Sequence, residues 1–555
     1  MEFFFASRGP RVDAHDSRAQ ETCFDSKVVE RRKKPRSAVN VMVRNMLSRR
    51  TLLVGLASAP IAMSAGCAVK QSTPGSASSG VEAATSNGGR RPLPVPPLAD
   101  STVDAAGVRH FTLTAQAGNT EMVPGVQTAT WGFNGSILGP TIRTRRGETI
   151  AFTIDNALPE DTTVHWHGVH VPARYDGGPH QTITPGGRWE PTWTVNQPAA
   201  TLWYHPHPHG VTEKHAYRGL AGIFLIDDDD ADSLDLPNTY GVDDFPLIIQ
   251  DRRFTTDGAL DESDPTDAGL LGDTIITNGI AAAQLEVSTE LVRLRILNGS
   301  GGRMYNLGFA DDRDFTMIAS DGGLLTEPLP LSRITLSPGE RVEIVVAAGG
   351  GSPMMLRAFP FDDQPGIDRD TASEYGLTDS FDVLELRPVP APERSPALPA
   401  VLADIPRLDP ATAVAERRFD LQWFMINGER MDMNRVDFTS AVDTTEVWTI
   451  RNADNWPHNF HVHDVQFQVL DVNGAKPLPA LAGWKDTVYI PPGTTIRVIL
   501  RFTEYTDPTF SYMFHCHLMR HEDQGMMGQF LVLGPNQTAT PMQMPADKPM
   551  QHGGH

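Results

Sequence analysis

Three separated stretches of the chain alternate hydrophobic and polar residues, and each alternation stops at an asparagine. The stretches are IAFTIDNAL (150–158), VRLRILNGS (292–300) and EVWTIRNAD (446–454), and the asparagines are Asn156, Asn298 and Asn452. Alternation with a period of two residues predicts a strand with one buried face. A Pro-Gly turn follows each stretch, at Pro185-Gly186, Pro338-Gly339 and Pro492-Gly493. The pattern predicts a three-fold repeat of a β-sandwich domain of about 130–150 residues.

The three repeats differ at the positions nine and eleven residues after the asparagine. The first repeat has histidines there, His165 and His167, and so does the third, with His461 and His463. The middle repeat has Leu307 and Phe309 instead. Residues i and i+2 on a strand share a face, so each His-x-His pair offers two imidazoles to one site. The pattern predicts metal ligands in the two outer domains and none in the middle one.

Composition agrees with an all-β protein of several domains. The chain has 555 residues, more than one hydrophobic core usually accommodates, and it is rich in turn-forming residues, with 48 Gly and 44 Pro. Its formal net charge of −21 excludes nucleic acid as a partner, because a basic surface is needed to contact phosphates.

The start of the chain predicts an export signal. The sequence SRRTLL (48–53) opens a short apolar run that is typical of a twin-arginine signal and too short to span a bilayer. The run ends in MSAGC (63–67), which resembles a bacterial lipoprotein cleavage site with Cys67 as the lipidated residue. We therefore expect delivery to the cell envelope or periplasm, with a membrane contact only through a lipid on Cys67.

These observations predict the following organisation. Residues 1–67 are the leader, 68–104 a disordered Ser/Gly- and Pro-rich linker, 105–235 the first β-domain, 236–395 the second, 396–535 the third, and 536–555 a Met/His-rich tail. We expect the protein to be a monomer. The tail contains Met542, Met544 and Met550 in a polar segment, and soft thioethers of this kind favour Cu(I).

The sequence FHCHLMRHEDQGMM (514–527) carries the most informative chemistry. It places Cys516 between two histidines, with His521 five residues after the cysteine and Met526 five residues further on. Two histidines, a cysteine and a weak thioether are the ligands of a blue-copper electron-transfer site. If the segment is a strand, the histidines on either side of Cys516 point to its opposite face. One short peptide then joins two metal sites.

Counting the histidine clusters indicates how many metals are held. A blue-copper site built from His458, Cys516, His521 and Met526 leaves eight histidines, enough for three further metal ions in an open cluster. Zinc explains the set less well, because closed four-ligand zinc sites leave no role for a cysteine paired with methionine. The eight remaining histidines come in four His-x-His pairs: His165 and His167, His205 and His207, His461 and His463, and His515 and His517.

Four motifs resemble those of the multicopper oxidases: HWHGVHVPARYDGGP, QPAATLWYHPHPHG, AGWKDTV and HCHLMRHEDQGMM. The likeness extends over residues 105–535 and is greatest to the bacterial copper-efflux and bilirubin-oxidase members. It implies three cupredoxin-like Greek-key β-sandwich domains and four copper ions, of which one is type 1, one type 2 and two type 3. The resemblance gives the type 1 ion the four ligands named above and the type 2 ion His165 and His461. It gives the type 3 pair His167, His205, His207, His463, His515 and His517.

The resemblance also implies roles for three acidic residues. Asp176 and Glu522 match carboxylates that deliver protons for the reduction of dioxygen to water. Asp454 matches a position that receives substrate electrons beside the type 1 copper. The implied enzyme oxidises Cu(I), in copper tolerance, or phenolic compounds as a laccase does, with dioxygen as the acceptor. Two alternatives remain open at this point: a copper-binding buffer without turnover, and a scaffold that keeps the fold for protein contacts.

Overall fold

A computed structural model describes residues 89–544, except residues 264, 350 and 362–365. The predicted twin-arginine signal, Cys67 and the tail beyond residue 544 lie outside these residues. Within them, no helix is both long and apolar enough to cross a membrane. The described chain forms six β-sheets that pack in pairs as three sandwiches, so the all-β prediction is confirmed.

Strand β1 precedes the first sandwich, which holds strands β2 to β11. Their bounds are β1 (Arg91–Pro92), β2 (Ser101–Val103), β3 (Arg109–Thr120), β4 (Thr128–Phe133), β5 (Ile142–Arg145), β6 (Thr149–Asn156), β7 (His165–His167), β8 (Arg188–Trp189), β9 (Thr192–Thr194), β10 (Ala200–His205) and β11 (Gly222–Asp227). One sheet has the order β2-β3-β6-β8, with β4 and β9 at its side, and the other has the order β5-β11-β10-β7. Two short helices follow in this region, α1 (Thr212–Tyr217) and α2 (Asp229–Asp232).

The second sandwich holds strands β12 to β23. Their bounds are β12 (Asp244–Arg252), β13 (Thr274–Thr277), β14 (Ile280–Ala281), β15 (Ala283–Thr289), β16 (Leu291–Asn298), β17 (Tyr305–Phe309), β18 (Phe315–Ser320), β19 (Gly323–Leu331), β20 (Ile334–Leu336), β21 (Arg341–Ala347), β22 (Met354–Phe359) and β23 (Phe381–Glu393), with α3 (Arg369–Glu374) before the last strand. The sheets have the orders β14-β13-β12-β16-β21-β18-β19 and β1-β15-β23-β22-β17-β20.

The third sandwich holds strands β24 to β33. Their bounds are β24 (Ala413–Gln422), β25 (Met425–Ile426), β26 (Phe438–Ala441), β27 (Thr445–Asn452), β28 (His458–Val462), β29 (Phe467–Val472), β30 (Thr487–Ile490), β31 (Thr495–Arg501), β32 (Tyr512–His515) and β33 (Met527–Leu533), with α4 (Met519–Asp523) between the last two. The sheets have the orders β25-β24-β27-β31-β29 and β26-β33-β32-β28-β30. Short 3₁₀ turns occur at Ala173–Tyr175, Pro410–Thr412 and Pro479–Leu481.

The repeated asparagine has the same position and the same hydrogen bonds in all three sandwiches. Asn156, Asn298 and Asn452 each end a strand that pairs in parallel with the first long strand of its sandwich, namely β6 with β3, β16 with β12 and β27 with β24. In each repeat the backbone N–H of the asparagine donates to the carbonyl just after the Pro-Gly turn. The side-chain amide of each donates to two backbone carbonyls. The predicted three-fold repeat is confirmed.

The two repeat positions that lack histidine in the middle sandwich are ordinary core. Leu307 and Phe309 lie in β17 and are fully buried against the aliphatic core of that sandwich. The predicted domain boundaries, at 235/236 and 395/396, fall between the last strand of one sandwich and the first strand of the next.

The predicted disordered linker is wrong for residues 91–103. Strand β1 pairs with β15 of the middle sandwich, and β2 pairs with β3 of the first. The Pro-rich composition indicated an unpaired chain, but an extended segment can still hydrogen-bond along a sheet edge. The backbone N–H of Leu93 donates to Gln284 O over 2.7 Å, and its side chain is buried in the middle sandwich. The edge pairing and this burial order the segment.

Candidate metal centres

The first candidate centre lies in the third sandwich, where three side chains from two segments meet. His458 opens β28, while Cys516 and His521 follow β32, the latter within the short helix α4. The Cys516 Sγ lies 3.6 Å from His458 Nδ1 and 3.5 Å from His521 Nδ1, and the two nitrogens are 3.1 Å apart. Met526 is fully buried, and its carbonyl accepts the backbone N–H of Cys516 over 3.1 Å. The structure therefore brings the side chains of the first three predicted ligands together. The fourth, Met526, is joined to Cys516 by this backbone hydrogen bond.

The outer nitrogens of both histidines are held by hydrogen bonds. His458 Nε2 lies 2.9 Å from Asp454 Oδ2, so Asp454 lies next to this centre. His521 Nε2 lies 3.1 Å from the carbonyl of Asp267, which belongs to the middle sandwich. Such outer partners fix the tautomer and the ring orientation of a metal-ligating histidine, leaving Nδ1 of both rings facing the thiol.

The donor set suits a soft metal ion held without water. Burial raises the pKa of the Cys516 thiol to about 12, and burial lowers the pKa of His458 and His521 below the ordinary value. The rings are therefore neutral, as ligation requires, and the thiol loses its proton only to a bound metal. Two neutral imidazoles and a buried thiol fit copper in the geometry expected for a blue-copper site.

The second candidate centre is formed by eight histidines, four from each outer sandwich. Strand β7 pairs with β10, which puts His165 opposite His205, and β28 pairs with β32, which puts His461 opposite His515. The remaining four occupy the i+2 positions of the same segments, at His167, His207, His463 and His517. All eight side chains are at most 1% exposed. The structure brings together every histidine of the predicted set.

Rings from the two sandwiches interlock across the boundary between them. His165 stacks on His463 with ring centroids 3.8 Å apart, and His167 stacks on His461 at 3.7 Å. His515 Nε2 lies 3.3 Å from His207 Nε2 and 3.2 Å from His463 Nε2. Neither outer sandwich alone contains this arrangement, so the centre exists only when both are present and correctly packed.

Several of these nitrogens are buried without a hydrogen-bond partner. They are His165 Nε2, His167 Nδ1, His205 Nε2, His207 Nδ1, His461 Nε2 and both nitrogens of His517. Burial lowers the pKa of all eight rings, and neighbouring imidazoles contribute to the shift in most of them, so the rings are neutral. Unsatisfied buried nitrogens are costly unless something binds them. Neutral imidazoles aimed at one another fit divalent or monovalent copper.

Two predicted acidic residues lie against the histidine cluster. Asp176 Oδ2 is 2.7 Å from His463 Nδ1, and the Asp176 carbonyl is 2.9 Å from His165 Nδ1. The two oxygens of Glu522 lie 3.3 Å from His207 Nδ1 and from His515 Nδ1. Burial raises the pKa of both carboxyls well above the ordinary range, with a smaller effect of a nearby aspartate on each. Both can therefore carry a proton beside the cluster.

The connection between the two centres differs in one respect from a simple strand. Strand β32 ends at His515, and residues 516–518 are irregular before α4 begins. Cys516 nevertheless points to the first centre, while His515 and His517 point to the second. Asn459 secures this bend, because its Oδ1 accepts the backbone N–H of His517 over 2.6 Å and lies 3.5 Å from Cys516 Sγ. Asn459 had no sequence signal beyond its position between two histidines.

The histidines outside the pairs are not all exposed. His215 is fully buried in α1, with its Nδ1 3.1 Å from Thr162 Oγ1 and its Nε2 2.9 Å from Glu160 Oε1. His170 Nδ1 lies 2.7 Å from Asp464, next to a cavity of about 750 Å³. His180 reaches the carbonyl of Met433. These three serve packing and hydrogen bonding around the outer sandwiches.

An aromatic hairpin lies above the first centre and was not predicted. Trp423 and Phe424 form the two-residue turn between β24 and β25, both with positive φ, 55° and 56°. Such turns usually contain Asn or Gly, since bulky residues strain there. The backbone N–H of Trp423 donates to Asp454 Oδ2 over 3.0 Å, and the residue is 57% exposed. Trp456 meets it edge-on at 5.2 Å, while Phe424 packs against His521 at 5.1 Å.

Residues 114–231 and 404–535 match the multicopper oxidase family. The chain is 36% identical over 451 residues to the multicopper oxidase mco of Staphylococcus haemolyticus, a match that covers 80% of this chain and 94% of that protein. It is 37% identical to the cell division protein FtsP of Escherichia coli K12, covering 81% and 94% respectively. The structure of a laccase from Pediococcus acidilactici superposes with a TM-score of 0.73 at 37% identity, covering 80% and 94%.

Three β-sandwiches, with a thiol-imidazole centre joined through the backbone to a histidine cluster, define a copper protein of the oxidase class. The chain belongs to the multicopper oxidase family. It is a copper-dependent oxidoreductase that uses dioxygen and a reductant.

Proposed function

We propose that this enzyme binds four copper ions, takes single electrons from its substrate at the Cys516 centre, and reduces dioxygen to water at the histidine cluster. The observation that carries the proposal is the peptide from His515 to His517. In this peptide Cys516 of the first centre is bonded directly to a cluster histidine on each side, His515 and His517. A pathway of that kind suits a reaction in which one-electron donors must supply four electrons to one acceptor.

The residues of the chain divide the work between them. Copper, when bound, supplies the one-electron redox chemistry. His458 and His521 would bind the first copper ion together with the Cys516 thiol, and the sandwich around them excludes water. The Glu522 and Asp176 carboxyls hold protons within hydrogen-bond reach of the cluster, where the four protons needed to make two waters must arrive. The assignment of individual histidines to type 2 or type 3 ions follows the family resemblance.

We propose that the reductants include phenolic compounds and Cu(I). The aromatic hairpin supports the first, because an exposed indole next to Asp454 and His458 offers a face on which an aromatic ring can stack. Asp454 and the methionines near the chain end support the second, and a role in copper tolerance would follow. Met542 and Met544 are held at the surface of the third sandwich by backbone hydrogen bonds to Thr509 and Asn434.

Replacing Trp423 with alanine should raise the KM for a simple phenol roughly 2- to 10-fold, the range given by the loss of one aromatic contact. The kcat for the phenol and the oxidation of Cu(I) should change little, since His458 and Asp454 remain. Steady-state kinetics with both substrates would measure this. The matched control is Leu478→Ala, which removes another highly exposed apolar side chain far along the chain. Equal loss with both substrates would assign Trp423 a structural role instead.

Two other functions compete with the proposed one. A copper buffer would bind the metal and consume no oxygen. The similarity to a protein named for cell division is the observation that favours a scaffold for protein contacts. The eight buried histidines argue against the scaffold, because unliganded nitrogens in a dry interior are costly. Oxygen consumption by the copper-loaded protein separates the enzyme from both alternatives.

We propose that the protein is exported by the twin-arginine route, lies in the cell envelope or periplasm as a monomer, and is lipidated on Cys67. Replacing Arg49 and Arg50 together with lysine should leave the precursor in the cytoplasm, because the receptor reads the arginine pair and not its charge. Cell fractionation would measure this, with Arg90→Lys as a control outside the signal. Undiminished export of the double variant would indicate the general secretory route.

A further inference from the structure

The middle sandwich inserts one buried arginine beneath the histidine cluster. Arg341 is the first residue of β21 and lies just after the Pro-Gly turn that repeats in all three sandwiches. Its side chain is 1% exposed. Among the described residues of the middle sandwich, none is a cluster histidine, so its contribution to the centre has to be indirect.

The guanidinium group of Arg341 contacts all three sandwiches. Nε donates to the carbonyl of Thr201 in the first sandwich over 3.1 Å, and Nη2 donates to the carbonyl of Asp321 in the second over 3.0 Å. Nη1 and Nη2 donate to the two carboxylate oxygens of Asp486 in the third, over 2.7 and 2.6 Å. Both carboxylate oxygens therefore accept a hydrogen bond from the same guanidinium group, which fixes the plane of the carboxylate as well as its position.

Asp486 passes this constraint to histidines of both outer sandwiches. Its Oδ1 lies 3.0 Å from His167 Nε2, and its backbone carbonyl lies 2.8 Å from His461 Nδ1. His167 and His461 are the stacked pair from the two outer sandwiches. With its Nε2 so engaged, His167 keeps Nδ1 as its buried and unpartnered atom. The ring can meet a metal ion through Nδ1 alone.

The ionic character of this arrangement is poorly explained by stability. Burial alone would lower the pKa of Arg341, but the carboxylates of Asp486 and Asp321 outweigh it and hold that pKa above the ordinary value. Buried ion pairs contribute little net stability in comparison with well-packed apolar residues of similar volume. What an arginine-carboxylate pair does supply is a fixed direction for the carboxylate, and here that direction determines the orientation of His167.

We propose that Arg341 is a positioning residue through which the middle sandwich orients Asp486 and, through Asp486, the His167 ring of the copper cluster. This rests on the proposed function, since it takes the eight histidines to bind copper. Loss of outer partners of this kind weakens metal binding about 10- to 100-fold. The Cys516 centre, which Arg341 does not contact, should be unaffected.

The test compares Arg341→Met and Arg341→Lys with Arg295→Met. Arg295 is a matched control, because it is also a buried, ion-paired arginine and lies in the neighbouring strand β16. It pairs with Asp244 and Glu343 and also contacts Thr201, yet it touches no cluster histidine. For each copper-loaded protein we would measure copper content, the affinity of the last ions bound, the electron paramagnetic resonance spectrum, the blue absorption band and the thermal midpoint.

The proposal predicts that Arg341→Met keeps the blue absorption but binds cluster copper about 10- to 100-fold more weakly, with an altered resonance spectrum of the cluster ions. Arg341→Lys should fall between, because an ammonium group cannot grip both carboxylate oxygens. If Arg341→Met does not fold, the copper affinity and spectrum of Arg341→Lys test the proposal instead. Arg295→Met should lose thermal stability without losing cluster copper.

Two results would overturn the proposal. One is wild-type cluster affinity and spectrum in both Arg341 variants. The other is an equal loss of cluster copper in Arg295→Met, which would make the effect one of general packing. A wild-type protein that shows blue absorption but holds no cluster copper would refute the proposed function itself, and it would do so before any variant is compared.

Discussion

Replacing Cys516 with serine is expected to abolish the blue absorption and all oxidase activity, with both Cu(I) and phenols, while the protein still folds. The thiolate gives the copper its colour and carries the electrons onward, and a hydroxyl is too hard a ligand to replace it. The side chain is fully buried and close to serine in size, so the surrounding core should survive. Absorption spectra and turnover of the copper-loaded variant would measure this.

The control for that experiment is the copper content of the histidine cluster. Because the backbone from His515 to His517 is held by Asn459 independently of the thiol, the cluster should still bind copper in the serine variant. Turnover that persists in a colourless protein would show that electrons enter elsewhere.

Replacing Glu522 with glutamine is expected to slow turnover by about 10²- to 10⁴-fold, the usual contribution of a positioned proton donor. Glutamine keeps the shape between His207 and His515 but cannot release a proton. Both copper spectra should remain close to wild type, so the defect would lie in the reduction of dioxygen and not in metal binding. Rapid-mixing kinetics of the reduced protein with oxygen would separate that step from electron entry.

Glu213 offers a control for this carboxyl. It too is buried, and burial raises its pKa to about 7. Its carboxylate contacts no cluster histidine and instead accepts a hydrogen bond from the backbone N–H of Leu270. Glu213→Gln should leave turnover within a few-fold of wild type. Comparable slowing in both variants would indicate a general effect of removing a buried carboxyl group, and Glu522 would lose its assigned role.

The sequence predicted which histidine side chains come together because local chain geometry determines their direction. A strand repeats its faces every two residues, so His165 with His167 and His461 with His463 had to share a direction. The repeated asparagine marked the end of the strand that precedes the histidine pair in each outer repeat. Neither inference depended on how the sandwiches pack together.

What the sequence did not predict is set by packing between sandwiches. The ion pair of Arg341 and Asp486 joins residues 145 positions apart. The carbonyl of Asp267 reaches His521 across 254 positions. No periodicity connects residues so far apart. Trp423 was missed for a different reason, since bulky aromatic residues are not expected in a turn that requires positive φ.

The error over residues 91–103 has the same origin. Composition measures how much apolar surface a segment can bury by itself, and by that measure the Pro-rich stretch should stay disordered. It is ordered because β15 and β3 offer free edges to which it can add. The sequence of the segment alone contains no information about those edges.

The most direct test of the proposed function is the stoichiometry of oxygen consumption by the copper-loaded protein during oxidation of a phenol and of Cu(I). The account predicts that one dioxygen is consumed for every four one-electron oxidations, without release of hydrogen peroxide, in a protein that shows blue absorption. Peroxide released in proportion to the oxygen consumed, or copper binding with no oxygen consumption, would contradict it.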